Sequence, residues 1–285
     1  MSRDASERAV EGGQRAVIGS HAFAALGGEC ELFTVDGDEA ALRSAEAWVH
    51  LMHDRLTRFD PASELSRLNA RSGRWIAVSV ELEALLRVAL AAWEGSGGLV
   101  HVAVLPALIA AGYGADFDAG TTAIGAPLGP LPPLPTVLEV RTGEARLAPG
   151  TAVDLGGIAK GWLADRVVER LGPNSLANLA GDLFARGPGT TGDGWPVGFG
   201  GQTVLLSDLG AATSGRTKRH WGEGLHHLID PRTGWPAAVG DLGEVSVLAS
   251  SGAEAEMHAK TAFLLGSRAA AAEWLAPRSP GWSFS

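Results

Sequence analysis

Cysteine is almost missing from this 285-residue chain: Cys30 is the only one. No intrachain disulfide is possible, and a thiolate-held metal cluster is excluded. There is no HExxH or CxxC pattern, and no GxSxG elbow marks a serine hydrolase. Long apolar runs are missing too. The most apolar stretch, 99–113, is interrupted by His101 and Pro106 and is shorter than the ~20 residues a spanning helix needs. The first twenty residues are polar and of mixed charge, without an apolar signal core. Residues 1–18 therefore read as a flexible leader and 19–285 as a single domain, cytoplasmic and not inserted in a membrane. Net positive charge is lacking as well: 23 Lys+Arg stand against 32 Asp+Glu, a formal charge of −9. That balance argues against nucleic acid as a partner. An anionic ligand has to be held locally, by backbone amides and a few placed cations.

What is present is an ordinary globular mixture, 46% hydrophobic and 19% charged, long enough to bury a large core. Leu42, Ala45, Val49, Met52 and Leu56 recur at helical spacing, which predicts a long amphipathic helix within 38–59 capped by Asp36 or Asp38. A second helix is predicted over 80–93, and late helices over 254–265 and 269–275. Strands are expected near 30–35, 136–140, 145–147, 176–179, 196–199 and 245–249, with a Pro/Gly-rich loop over 121–136. No short-period repeat and no regular βαβ beat appear, so the fold class is α+β.

The densest chemistry lies in 154–165, DLGGIAKGWLAD. The apolar pair Ala152-Val153 leads in as a strand edge. Gly156 and Gly157 allow a tight turn open to a ligand, and Ile158, Leu163, Val167, Val168 and Leu171 continue as a helix that Gly172-Pro173 ends. Such a turn presents helix N-terminal N–H groups to an anion, with Lys160 as a formal cation one turn in. Read alone, it is equally a glycine turn before an amphipathic helix. Four more segments stand out: TRFDPASELSRLN (57–69), NLAGD (178–182), the polar small-residue turn ATSG (212–215) and HLIDPRTG (227–234). Each is ordinary turn chemistry when taken singly. His226 and His227 are adjacent and point to opposite faces of a strand, so they do not form a metal pair.

Taken in order, these segments resemble the ApbE family, the FAD:protein FMN transferases, over about 25–266. DLGGIAKG and HLIDPRTG are the most specific matches. The resemblance implies antiparallel sheets with flanking helices and a nucleotide cleft between two halves. It implies an enzyme that binds FAD, passes FMN to a threonine hydroxyl of a flavin-accepting protein and releases AMP. Holding FAD without transfer, or hydrolysing it to FMN and AMP, remain as alternatives. By position, Leu26, Phe59, Ala103, Val104, Leu105, Asp154, Lys160 and His227 fall on cofactor contacts, with Phe59 as the aromatic on the flavin side. His227 and Asp182 are the catalytic candidates, and Asp165 also matches a motif position. Family members use Mg²⁺, whose ligand positions correspond to the Gly157 backbone oxygen, Glu256 and Lys260.

The departures from the family pattern bear on that metal. An M-G-T triplet is here Leu26-Gly27-Gly28, and an F-D-x-T-V-G-P segment reads VHVAVLP, with His101 for aspartate and Leu105 for glycine. Lys260 stands where a ligand threonine is usual, and a protonated lysine has three donors and no acceptor. Either Lys260 pairs with Glu256 at i, i+4 and brings its own cation to the pyrophosphate, or the register shifts and Thr261 or Glu254 is the ligand.

Overall fold

The computed structural model describes residues 18–115, 120–217, 219–238 and 240–285. The leader expected over 1–18 lies outside them, apart from Ile18, which begins the first strand. The chain opens with a hairpin, β1 (Ile18–Ala25) and β2 (Gly28–Val35), then α1 (Glu39–Leu56) and α2 (Glu64–Ala70). Next come β3 (Ile76–Ala77), α3 (Val80–Gly95), α4 (Leu105–Ala110), α5 (Leu134–Val137), β4 (Leu138–Arg141), β5 (Glu144–Leu147) and α6 (Ala159–Leu171). Strands β6 (Ser175–Leu179), β7 (Asp182–Arg186), β8 (Trp195–Phe199), β9 (Gln202–Leu206) and β10 (Leu209–Gly215) follow. Then come two short hairpins, β11 (His220–Trp221) with β12 (Leu225–His226) and β13 (Ile229–Asp230) with β14 (Trp235–Pro236). Last are β15 (Glu244–Ala249), α7 (Gly252–Leu264), α8 (Arg268–Leu275) and β16 (Gly281–Phe284).

The fold is α+β. Its centre is a seven-stranded antiparallel sheet, β1-β2-β6-β7-β10-β15-β16, which joins strands from both ends of the described chain. Side-chain alternation gives the sheet two buried faces. Cys30, Leu32, Ala177 and Leu179 face the main core with α1, α3 and α6. Leu176, Leu183 and Ala185 face the other way, under Trp195, Val197 and Leu206 of the β8–β9 hairpin. A further core packs α7 and α8 against β10 and β15.

Capping chemistry sets the helix starts. Asp38 accepts from the Ala41 N–H at 2.6 Å, Ser63 caps α2, Ser79 caps α3 and Ser251 caps α7. Of the two caps proposed for α1, Asp38 is the one used. One strand expectation, 136–140, holds from Leu138 onward, and another fails. Residues 134–137 form a helical turn, because Pro133 and Pro135 fix φ near helical values, and β4 starts only at Leu138. Ala152-Val153 forms no strand edge: the Asn69 side chain takes both backbone groups of Val153, at 2.8 and 2.9 Å, in place of a neighbouring strand. ATSG is a strand and not a turn, since Leu209–Gly215 pairs with β15 along its length and with β7 at its start. Pairing with β15 overrides the turn propensity of these small residues, and β7 pairs only with Leu209, Gly210 and Ala211 ahead of them.

Helices α6 and α7 meet at Gly161 and Gly252 and cap each other. Asp165 of α6 accepts from the Gly252 and Ala253 N–H groups, at 2.6 and 3.1 Å, and Glu256 of α7 accepts from the Gly161 N–H at 2.9 Å. A Cβ on Gly161 collides with the Gly252 carbonyl, so the crossing needs glycine. Gly161→Ala is expected to destabilise the fold by roughly 1–3 kcal/mol through overpacking. Thermal unfolding checks this, and an unchanged midpoint would show that the helices part without cost.

Candidate active site

Two tight hairpins form one rim of a deep cleft. Leu26 and Gly27 join β1 to β2, with φ of 57° and 74°, and Ala180 and Gly181 join β6 to β7, with φ of 56° and 99°. Both are two-residue turns needing left-handed backbone at each position, a conformation that side chains other than glycine adopt at a cost. Because β2 pairs with β6, the two turns lie together, and the Ala180 N–H donates to the Glu29 carbonyl at 3.1 Å. The cleft they border encloses about 760 Å³, within the usual range for ligand sites.

The aromatic side of the cleft is built around Arg58. Its guanidinium lies 4.2 Å from the Phe59 ring centroid and 4.5 Å from that of Tyr113, donates to the Tyr113 carbonyl, and pairs through Nε with Asp154 Oδ2 at 2.6 Å. The other Asp154 oxygen accepts from the Gly156 N–H at 2.8 Å, an Asx turn that shapes the glycine pair. Phe59 is 37% exposed, so its ring is available to a ligand, whereas Tyr113 is buried against Trp221. Glu64 and Asn69 of the 57–69 segment act at a distance: Glu64 binds the Ser79 N–H and hydroxyl, and Asn69 holds Val153 just before Asp154.

Opposed charges crowd the floor. Lys160 Nζ bonds Asp182 Oδ2, and the Asp182 side chain is 2% exposed. Burial alone would pull the Lys160 proton off, but the charges of Asp182 and Glu256 outweigh it and hold its pKa above that of an ordinary lysine. Lys260 Nζ bonds the Gly157 carbonyl. Burial, aided by the neighbouring Lys160, lowers the Lys260 pKa against the pull of Glu256. Glu256 is pushed up to about 7, first by burial and then by Asp182. His227 opens onto the same cleft. Burial lowers its pKa to about 3, with Lys260, Arg219 and Lys160 adding to the effect. The imidazole is therefore neutral near pH 7. Its Nδ1 lies 3.2 Å from the Arg219 carbonyl and must donate there, which leaves Nε2 as the acceptor.

The structure brings Leu26, Phe59, Val104, Asp154, Gly157, Lys160, Asp182, His227, Glu256 and Lys260 to this cleft. Ala103 and Leu105 are not on its wall: Ala103 packs in the main core and Leu105 is buried at the first position of α4. His101 lines the cleft but is tied down, to the Pro132 carbonyl at 3.0 Å and the Ala103 N–H at 3.1 Å. Asp165 lies off this cleft, at the helix crossing. His226 turns from the cleft, its Nε2 on the Ala237 carbonyl at 3.1 Å and its ring edge-on to Phe263, so the two histidines do diverge. In HLIDPRTG, Asp230 forks with Arg232, which donates to the Leu264 carbonyl at 2.6 Å and so caps α7.

Arg58 and Arg219 are among the cleft residues that motif reading passed over, as are Glu29, Glu31 and Glu244. Arg58 sits beside Phe59 in a segment already singled out, and its neighbour was the available signal. Arg219 donates to the Leu26 carbonyl at 3.2 Å and lies over Gly27, whose missing Cβ makes the room. Nothing in the sequence around 219 announces that.

Contacts separate the candidate residues on α7 by direction. The Thr261 hydroxyl donates to the Met257 carbonyl of its own helix at 2.8 Å, and Glu254 bonds Ser250 at the helix start. Glu256 and Lys260 face the cleft in their stead. The donors present do not fit a divalent metal. The Gly157 oxygen is taken by an ammonium, and no cluster of three or more His, Cys, Asp or Glu side chains among the described residues has the arrangement to hold an ion.

A neutral imidazole, several cations balanced by buried carboxylates, and an exposed aromatic ring thus meet in one cleft. A sequence profile of the ApbE family matches residues 26–281, and the chain belongs to the ApbE family. A Klebsiella pneumoniae (strain 342) protein named FAD:protein FMN transferase is 28% identical over 263 residues, which cover 87% of this chain and 82% of that one. A Treponema pallidum (strain Nichols) protein of the same name is 36% identical over 142 residues, 41% of this chain and 39% of the relative's length. The solved structure of Pseudomonas stutzeri flavinyl transferase ApbE, apo form, superposes with a TM-score of 0.78 at 19% identity, covering 95% of each chain. The Thermotoga maritima ApbE protein gives 0.77 at 20% identity, covering 92% of this chain and 91% of that one. At these identities the structural likeness speaks for the fold.

Proposed function

We propose that this chain is a flavin transferase, which binds FAD in the cleft, passes FMN to a threonine hydroxyl of a partner protein and releases AMP. The observation that carries the reading is the meeting of Lys160, Lys260 and Arg219 with a neutral His227 on one cleft wall system that also presents Phe59. Family membership and the names of the relatives support it.

In the transfer, the hydroxyl oxygen attacks the phosphorus of the FMN half. The bond from that phosphorus to the bridging oxygen breaks, and AMP leaves with the electron pair. The hydroxyl proton passes to His227 Nε2. The lysines and Arg219 oppose the negative charge that builds on the phosphates. Next to burial, those same cations keep the imidazole neutral. Pyrophosphate charge placed among them offsets their effect and raises the proton affinity of His227, so the base strengthens when FAD is bound. Asp182 holds Lys160 in place. No step here is routed through Mg²⁺, because the donors do not suit it.

The test is incubation with FAD, alone and with an acceptor protein of the Klebsiella relative, followed by chromatography of the nucleotides. AMP that appears only with acceptor supports transfer. Free FMN with AMP points to hydrolysis, and intact FAD to a flavin holder; either would overturn the proposal.

A further inference from the structure

We propose that Lys260 stands in for the divalent cation, so that FAD is bound and its pyrophosphate neutralised by two ammonium groups without Mg²⁺. The inference takes its ligand from the flavin-transferase reading. Its warrant is in the geometry. The Lys260 ammonium bonds the Gly157 carbonyl, the oxygen that the family pattern gives to the metal. A Cβ at residue 157 would fall on Nζ, so glycine there is what admits the ammonium. Glu256, one turn back on α7, is spent on the Gly161 N–H and on charge balance with Lys160 and Lys260.

A metal ion entering this position would have to displace the ammonium from Gly157 and then sit beside two like charges. The ammonium itself has three donors. One is used on Gly157, and two remain for phosphate oxygens. Composition points the same way. Lysine occurs only three times in the chain while arginine occurs 20 times, and two of the three lysines meet in this cleft. A compact, flexible point charge suits a site next to a backbone carbonyl better than the planar guanidinium fork.

The experiment is titration of the full chain with FAD, followed by flavin fluorescence, in EDTA and in Mg²⁺. The wild-type dissociation constant is expected to agree within about two-fold between the two conditions. Lys260→Met is expected to weaken binding in EDTA by roughly ten-fold or more, the scale of a charge-assisted hydrogen bond. Lys260→Thr is expected to bind poorly in EDTA and to recover in Mg²⁺. Circular dichroism checks that the variants fold, and the wild-type pair of titrations decides even if they do not. Wild-type binding that collapses in EDTA and returns with Mg²⁺ overturns this inference and leaves the flavin-transferase reading intact. Absence of binding in both conditions overturns that reading and the inference with it.

Discussion

His227→Gln is expected to slow FMN transfer by roughly 10²–10⁴-fold, the usual loss when a positioned general base is removed. The dissociation constant for FAD should change little, because the proposed mechanism gives the phosphates to the lysines and Arg219. The effect should therefore fall on kcat and not on KM. Glutamine keeps the bulk and a hydrogen-bonding end but cannot take up the proton. Equal loss of kcat/KM through KM alone would make His227 a binding group. A second signature is independent of turnover. The folded-state pKa is lowered to about 3, whereas an unfolded histidine titrates near 6.5. Between those values the unfolded chain binds the extra proton, so the stability held above pH ~6.5 is lost as pH falls toward 3. The variant should lose less stability than wild type between pH 7 and pH 5. An identical decline in both would show that His227 is not held neutral.

Lys160→Ala is expected to cost the fold roughly 3–5 kcal/mol, because it leaves the buried Asp182 carboxylate without its counter-charge. For a chain of this size that lowers the melting midpoint on the order of 10 °C. The side chains of the pair are only 18% and 2% exposed, well away from the regime of weak surface ion pairs. The double variant Lys160→Met, Asp182→Asn should recover most of the loss, since neither residue then buries an uncompensated charge. Binding of FAD should stay impaired in both. Recovery of stability without recovery of binding separates the structural part of Lys160 from its part in the cleft. A single-variant loss below about 1 kcal/mol would mean that solvent reaches Asp182 and the pair is not buried.

Local chemistry made much of this fold legible. Apolar spacing behind Asp38 placed α1, and the run from Val80 placed α3, from neighbours within three or four residues, whereas α7 begins at Gly252, two residues before the expected start, because Ser251 caps it. DLGGIAKG read correctly as a turn into a helix for the same reason. What stayed hidden depends on partners far along the chain. Lys160 finds Asp182, Asp154 finds Arg58, and Lys260 finds the carbonyl of Gly157. ATSG looked like a turn because its residues are small and polar; only pairing with β15 makes it a strand. Ala103 and Leu105 were assigned by position in a motif, and the start of α4 sends them into the interior. Glu64 and Asn69 gave no hint of their work, which is to fix the ends of two other segments.

The central claim is that FMN moves from FAD onto a protein threonine. Intact-mass and peptide mass spectrometry of the acceptor, with AMP counted in the same reaction, tests it most directly. The expected result is one FMN on a threonine for each AMP released, lost with His227→Gln. AMP released with free FMN, and an acceptor of unchanged mass, would contradict it.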